Sequence, residues 1–290
     1  MGKDLYVSIR GHVVKLADLN GDGVSDGIEY ILRDLPVGGR IHQNHQNNGI
    51  TLGPDGYLYV AIGIDPSAPE AQVPLDPTRA AHIGLGLTPT PQAPQTPRTG
   101  AVDQRAGTVM RVRPDGSGAS IYATGLRNPF SLAFDREGNL FGTDIGPNDP
   151  EGPDELNVIV AGKDYGFPRT PGALPGPGEV PAVALLEAAA TSGMVLYNQT
   201  QFPELYRGNA FIAQWGQAAA DVRNANRIVR VIIRKAAGGF QGVARSFAVG
   251  FEHPMSLALG ADGSLYVADY GSLNPAEKNG VIYKISYVGG

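Results

Sequence analysis

Apolar and polar residues alternate in short runs along this chain, and one run keeps returning. KDLYVSI (3–9), GPDGYLYVAIG (53–63), REGNLFGTDIG (136–146) and GADGSLYVADYG (260–271) share a pattern, and RGNAFIAQWG (207–216) is a weaker fifth copy. In the strongest copies Asp-Gly or Glu-Gly makes a tight turn, and alternating β-branched and aromatic residues make the strand after it. A preceding strand is legible in NGITLG (48–53), PFSLAF (129–134), TSGMVLYN (191–198) and PMSLALG (254–260). A third follows at VVKLAD, GTVMRVR, RIVRVII and VIYKISY, and SIYATGL and SFAVGF supply a fourth. Four short antiparallel strands, repeated, predict an all-β chain folded as a β-propeller of four-stranded blades. An irregular β-sandwich is the competing architecture. Five blades are countable, and the first lacks its innermost strand. That blade is expected to be incomplete or N-terminally truncated, in a six-bladed ring or in one closed by pairing of the two chain ends.

Residues 1–290 read as a single domain interrupted by two proline-rich loop insertions. Residues 64–105 hold eight prolines and residues 168–181 hold five. In a propeller such loops rise from one face, where they either wall a pocket or form a surface insertion. With Gly 40, Pro 23 and 18% charged residues, the chain favours tight turns over long surface helices. The net charge of −5 offers no broad basic field for nucleic acid. No apolar run approaches the roughly 20 residues of a membrane span. Cysteine is absent, which excludes disulfides, thiolate metal sites and a Cys nucleophile. The start, MGKDLYVS, has no signal-peptide pattern.

Four segments hold candidate chemistry. GGRIHQNHQNNGITLGPDG (38–56) places His42 and His45, with Asn44, Gln46, Asn47 and Asn48, just before an inner strand. A histidine there is either a base at the pocket mouth or a hydrogen-bonding loop residue. ATGLRNPFSLAFD (123–135) puts Arg127 and Asn128 at the equivalent place, an anion-binding corner or a structural salt bridge. TDIGPNDPEGPDELNVIVAGKDYGFP (143–168) offers backbone carbonyls at Gly146 and Pro147, and acidity at Asp154 and Glu155. Hard cations such as calcium favour such oxygens; the alternative is a solvated acidic loop. In DLNGDGVSDGIE (18–29), Asp18, Asn20, Asp22, Val24, Asp26 and Glu29 fall at positions 1, 3, 5, 7, 9 and 12 of a calcium loop, with Gly23 at the sharp turn. This reads as a calcium-stapled inter-strand loop or an unmetallated Asx-rich turn.

At HQNNGITLGPDGYLYVAIG, AGTVMRVRPDGS, GLRNPFSLAF and DIGPNDPEGPDELNVIVAGKDYGFP the sequence resembles the soluble, pyrroloquinoline-quinone-dependent glucose/sorbosone (aldose sugar) dehydrogenases. The resemblance implies a six-bladed quinoprotein that uses pyrroloquinoline quinone and Ca2+, acts on a sugar, passes electrons to an acceptor the sequence does not name, and is periplasmic or secreted. Carried over, His45 is the catalytic base; Asn44, Gln46, Arg127 and Asn128 contact the cofactor. Gly146 and Pro147 hold the calcium beneath it, and Asp154 and Glu155 lie near a structural calcium. His45 would take the proton of the C1 hydroxyl as hydride passes to the quinone, with calcium polarising the quinone and Arg127 balancing charge. In the family an orienting Asp follows the IG of the strand; here that place is Ile64. His253 stands where an Arg before Pro is frequent. Two other readings remain: a calcium-dependent propeller lactonase, and a non-catalytic or weakly quinone-binding propeller that recognises a glycan or partner.

Overall fold

The computed structural model describes residues 4–37, 45–64, 103–146, 153–167, 183–185, 189–216, 225–237, 239–274, 276–277 and 279–289. Among them are five antiparallel sheets. The first holds β1 (Leu5–Ile9), β2 (His12–Ala17) and β3 (Gly27–Leu32). The second holds β4 (Asn47–Leu52), β5 (Leu58–Ile62), β6 (Thr108–Val112) and β7 (Ser120–Ala123). The third holds β8 (Pro129–Phe134), β9 (Leu140–Asp144), β10 (Glu155–Ile159) and β11 (Val183–Ala184). The fourth holds β12 (Thr191–Tyr197), β13 (Asn209–Gln214), β14 (Arg227–Ala236) and β15 (Gly239–Val249). The last holds β16 (Pro254–Leu259), β17 (Leu265–Asp269) and β18 (Val281–Ile285). Strands pair in chain order within every sheet, and the sheets are the blades of a β-propeller.

The repeated turn has a physical cause. Gly53, Asp135 and Gly260 each donate an N–H to the carbonyl of Tyr57, Asn139 and Ser264, closing the same tight loop. Inside it, Gly56, Gly138 and Gly263 have φ of 81°, 85° and 80°, where a Cβ would be strained. The strands β5, β9 and β13 are buried along their whole length, which is why LYVAI reads as a continuous apolar run. Leu58, Val60 and Ile62 pack with Val13, Ile31 and Leu32 of the first blade. Tyr59 and Ala61 point the other way, toward Leu132 and Leu140 of the third. The same split recurs in β13, where Ala210 and Ile212 join Phe141 and Leu156, and Phe211 and Ala213 join Leu257 and Leu265.

The innermost strands β4, β8, β12 and β16 pack one on the next. Each carries an irregularity near its start: pairing shifts between Asn47 and Ile50, Pro129 and Leu132, Thr191 and Met194, and Pro254 and Ser256. Glycine lets neighbours touch there. A Cβ on Gly49 would lie 2.5 Å from Phe130 O, and one on Gly193 would lie 2.6 Å from Ser256 Cα.

Most expected strands are found at their expected places, and PFSLAF coincides with β8. β3 and β10 were hidden inside segments read as metal loops, and β15 begins well before SFAVGF. The first sheet has three strands with β1 at one edge, as the missing inner strand implied. Among the described residues no sheet joins strands from both chain ends. Of the two proline-rich segments, only Ile64 and residues 103–105 lie within the described residues. Asn44 and Pro147 lie outside them. No helix among the described residues is long and apolar enough to cross a membrane.

Candidate active site

The blades present equivalent residues at the end where each inner strand begins and each second strand stops. One backbone hydrogen bond marks the equivalence: Gly63 N–H to Gln46 O, Ile145 to Asn128, Trp215 to Ala190, and Tyr270 to His253. His45, Arg127, Ala189 and Glu252 therefore occupy one position around the ring, and Gln46, Asn128, Ala190 and His253 the next. The sequence-predicted residues His45, Gln46, Arg127 and Asn128 thus share one lip, on two adjacent blades.

Different devices hold this lip in different blades. In the third, Asp144 ends β9 and its carboxylate accepts the N–H groups of Arg127 at 3.0 Å and Asn128 at 2.6 Å. In the fifth, Asp269 ends β17 and accepts those of Glu252 at 2.8 Å and His253 at 2.7 Å. The second blade ends β5 with Ile62 and uses its neighbour instead. Ile64 donates its N–H to Arg127 O at 2.8 Å, and its carbonyl lies 2.6 Å from Nδ1 of His45. A carbonyl can only accept, so Nδ1 carries the hydrogen, and Nε2 of the neutral ring is the proton acceptor. Ile64 stands where the family resemblance places an Asp; its backbone orients the imidazole, without the carboxylate's charge.

The second and third blades converge at Gly63. A Cβ there would lie 2.5 Å from Asn128 Oδ1 and 3.3 Å from His45 Cα. Asn48 adds a bridge, donating through Nδ2 to Asn128 Oδ1 at 3.0 Å and to Pro129 O at 2.9 Å. Arg127 donates through Nη1 to Ile145 O at 2.9 Å. His45 is 4% exposed, Arg127 9% and Asn128 1%. The Gln46 Oε1 atom is buried with no hydrogen-bond partner, a cost of about 1–3 kcal/mol unless a ligand donor meets it.

The acidic candidates have structural duties. Asp154 is buried; its Oδ1 accepts Gly146 N–H at 3.0 Å and its Oδ2 accepts Thr191 N–H at 2.6 Å, which ties the third blade to the fourth. Glu155 lies in β10 opposite Asp144 and accepts from Asn157 Nδ2 at 3.0 Å. Burial raises the carboxyl pKa of both Asp154 and Glu155. Asp144 is pushed up to about 7, first by burial and then by Glu155.

In the 18–29 loop, Asp18 accepts the N–H groups of Gly21 at 2.6 Å and Gly23 at 2.9 Å, and Asp22 accepts that of Val24 at 2.7 Å. Asp26 accepts Leu19 N–H at 2.6 Å, and Asn20 Oδ1 accepts Asp22 N–H at 2.9 Å. Glu29 lies on β3 and pairs with Lys15 at 2.5 Å. Among the described residues no three His, Asp or Glu side chains converge to hold a metal. In this geometry the Asp and Asn side chains cap the loop's own N–H groups.

Sequence reading names Asn48 only as part of a polar run, and it gives no role to Asp144 or to the Ile64 carbonyl. The repeated D-x-G of DIG (144–146) and DYG (269–271) was the signal for Asp144; nothing local marks Ile64.

The glucose/sorbosone dehydrogenase family profile matches residues 8–268. Quinoprotein glucose dehydrogenase B of Acinetobacter calcoaceticus is 33% identical over 152 residues, 48% of this chain and 29% of that protein. Aldose sugar dehydrogenase YliI of Escherichia coli K12 is 26% identical over 175 residues, 56% of this chain and 43% of that protein. The chain thus matches less than half the length of either relative. The PQQ-bound aldose sugar dehydrogenase of Streptomyces coelicolor superposes with a TM-score of 0.63 at 20% identity, over 97% of this chain and 74% of that one, a likeness of fold.

Proposed function

The chain belongs to the glucose/sorbosone dehydrogenase family, and from that membership we propose that it oxidises an aldose-type sugar at C1 with pyrroloquinoline quinone, His45 acting as general base. The observation that carries this reading is the bond from His45 Nδ1 to Ile64 O, which selects the tautomer whose basic nitrogen is Nε2. The quinone, when bound, supplies the hydride acceptor. Its carbonyls and carboxylates suit the lip: Arg127 and Asn128 offer donors, and the amide of Gln46, whose Oε1 has no partner, offers both a donor and an acceptor. Any calcium there would rest on backbone carbonyls, Gly146 among them, with the Asp154 carboxylate holding the Gly146 backbone in place. Burial of His45 keeps bulk water from competing for Nε2.

Reconstitution with pyrroloquinoline quinone and Ca2+, followed by dye-linked oxidation of an aldose panel, tests the reading. The expected result is a cofactor-dependent rate that His45→Ala lowers by about 10²–10⁴-fold, with cofactor affinity nearly unchanged. Absence of both a cofactor absorbance change and dye reduction would sink it. Loss of cofactor binding in His45→Ala would recast His45 as a cofactor ligand.

One observation favours a second reading, a propeller that binds a glycan or partner without turnover. Of the equivalent lip residues His45, Arg127, Ala189 and Glu252, only Arg127 is a permanent cation, whereas the quinone carries three carboxylates. Sugar binding without any cofactor-dependent rate would establish that reading instead.

A further inference from the structure

The lip of the fourth and fifth blades carries a cluster that the proposed reaction does not use. Trp215 is the one tryptophan of the chain, and it occupies the blade position that Tyr270 fills next door. Their ring centroids are 5.4 Å apart at 52°, and those of Trp215 and His253 are 4.8 Å apart at 43°. Tyr270 is 56% exposed, and Trp215 and His253 are partly exposed. Large aromatic faces are therefore held toward solvent at the same end of the propeller as His45.

His253 is oriented as His45 is. Its Nδ1 bonds to the carbonyl of Gly271 at 2.7 Å, two residues beyond the end of β17, just as Ile64 lies two beyond the end of β5. A carbonyl can only accept, so Nδ1 carries a hydrogen, and when the ring is neutral Nε2 is its acceptor. Among the described residues, carboxylates adjoin the His253 ring itself: Glu252 precedes His253, and Asp269 accepts the backbone N–H groups of both. Such surroundings repel an anion and leave a neutral polyol undisturbed.

A pyranose ring has an apolar C–H face and a rim of hydroxyls, which suits flat aromatic surface beside a single fixed acceptor. We propose that Trp215, Tyr270 and His253 form a binding platform for a neutral sugar ring, its C–H face against the two aromatic rings and one hydroxyl donating to His253 Nε2. No bond is made or broken there. The platform stands on the lip geometry and not on the quinone chemistry, so it is tested on protein free of quinone.

Because Trp215 is the sole tryptophan, its emission reports this place. The full chain is titrated with glucose, maltose and glucuronate. The expected result is a saturable emission change with both neutral sugars and a weaker one with glucuronate. Tyr270→Phe keeps the affinity, while Tyr270→Ala and His253→Ala lower it about tenfold, the scale of one lost ring contact. Thermal melts accompany the series, since the His253 ring also anchors Gly271; the exposed Tyr270 pair stands independently of that anchor. The platform is overturned if no saturable change occurs, if Tyr270→Ala binds like the parent, if Tyr270→Phe loses as much as Tyr270→Ala, or if glucuronate binds as tightly as glucose. Binding without dye reduction leaves the platform standing while the dehydrogenase reading fails. Dye reduction with no emission change does the reverse.

Discussion

Asp144 shows how one side chain can serve a site without entering its chemistry. Its two oxygens fix the backbone of Arg127 and Asn128, the pair that sequence reading had singled out. Its carboxyl is pushed up to about 7, chiefly by burial. A carboxyl raised in the fold keeps its proton where the unfolded chain has lost it. Its contribution to stability is therefore full below the ordinary carboxylate range and is lost as pH rises toward about 7. Asp144→Asn stays neutral throughout, and its amide offers one acceptor where the carboxylate offered two. Urea melts across that window are expected to show a flatter pH dependence and a loss of about 1–3 kcal/mol. An unchanged slope would assign the titration to Glu155 or Asp154. His45 makes the complementary point: GGRIHQNHQ announced a histidine near an inner strand, but its orienting partner is a backbone carbonyl, which no residue type can advertise.

At the scale of the strand, the irregular starts of β4, β8, β12 and β16 set the spacing between blades. Gly49 and Gly193 sit in two of these starts, where the next strand leaves no room for a methyl. Gly49→Ala should cost about 1–3 kcal/mol in denaturant melts, since the clash is with backbone that cannot swing aside. Gly27→Ala is the control: nothing lies within 4 Å of its Cβ, and stability should stay within about 0.5 kcal/mol. The same scale explains the missed strands. GIEYIL and ELNVI alternate as strands do, but each adjoins a run of Asp, Gly and Asn or Pro that reads as loop and hides the strand beside it. Pairing of β2 with β3, and of β9 with β10, decides the matter. β15 is likewise drawn out along β14 by a ladder that its glycines do not foretell.

Across the molecule, single polar side chains fasten blades whose cores are apolar. Asn47 is the clearest. It is 3% exposed, accepts Gly11 N–H at 2.7 Å, and donates to Ile9 O at 2.7 Å and His12 O at 2.9 Å. Asn47→Ala would strand those groups between the first and second blades, a loss of about 3 kcal/mol or more. Hydrogen exchange should then quicken in β1 and β2 before the third and fourth blades respond. Uniform quickening would mean that the first blade unfolds only with the rest.

The repeat determined the blades by itself, because alternation and Asp-Gly turns act over a few residues and are written in local order. It also placed His45 and Arg127 at one end, since each precedes an inner strand. Tertiary structure decided which of the polar residues meet. Ile64 reaches both Arg127 and His45, Asp154 ties Gly146 to Thr191, and Trp215 comes beside Tyr270 and His253. These partners come from different strands or different blades, and packing between sheets, which no short stretch of sequence encodes, selects them.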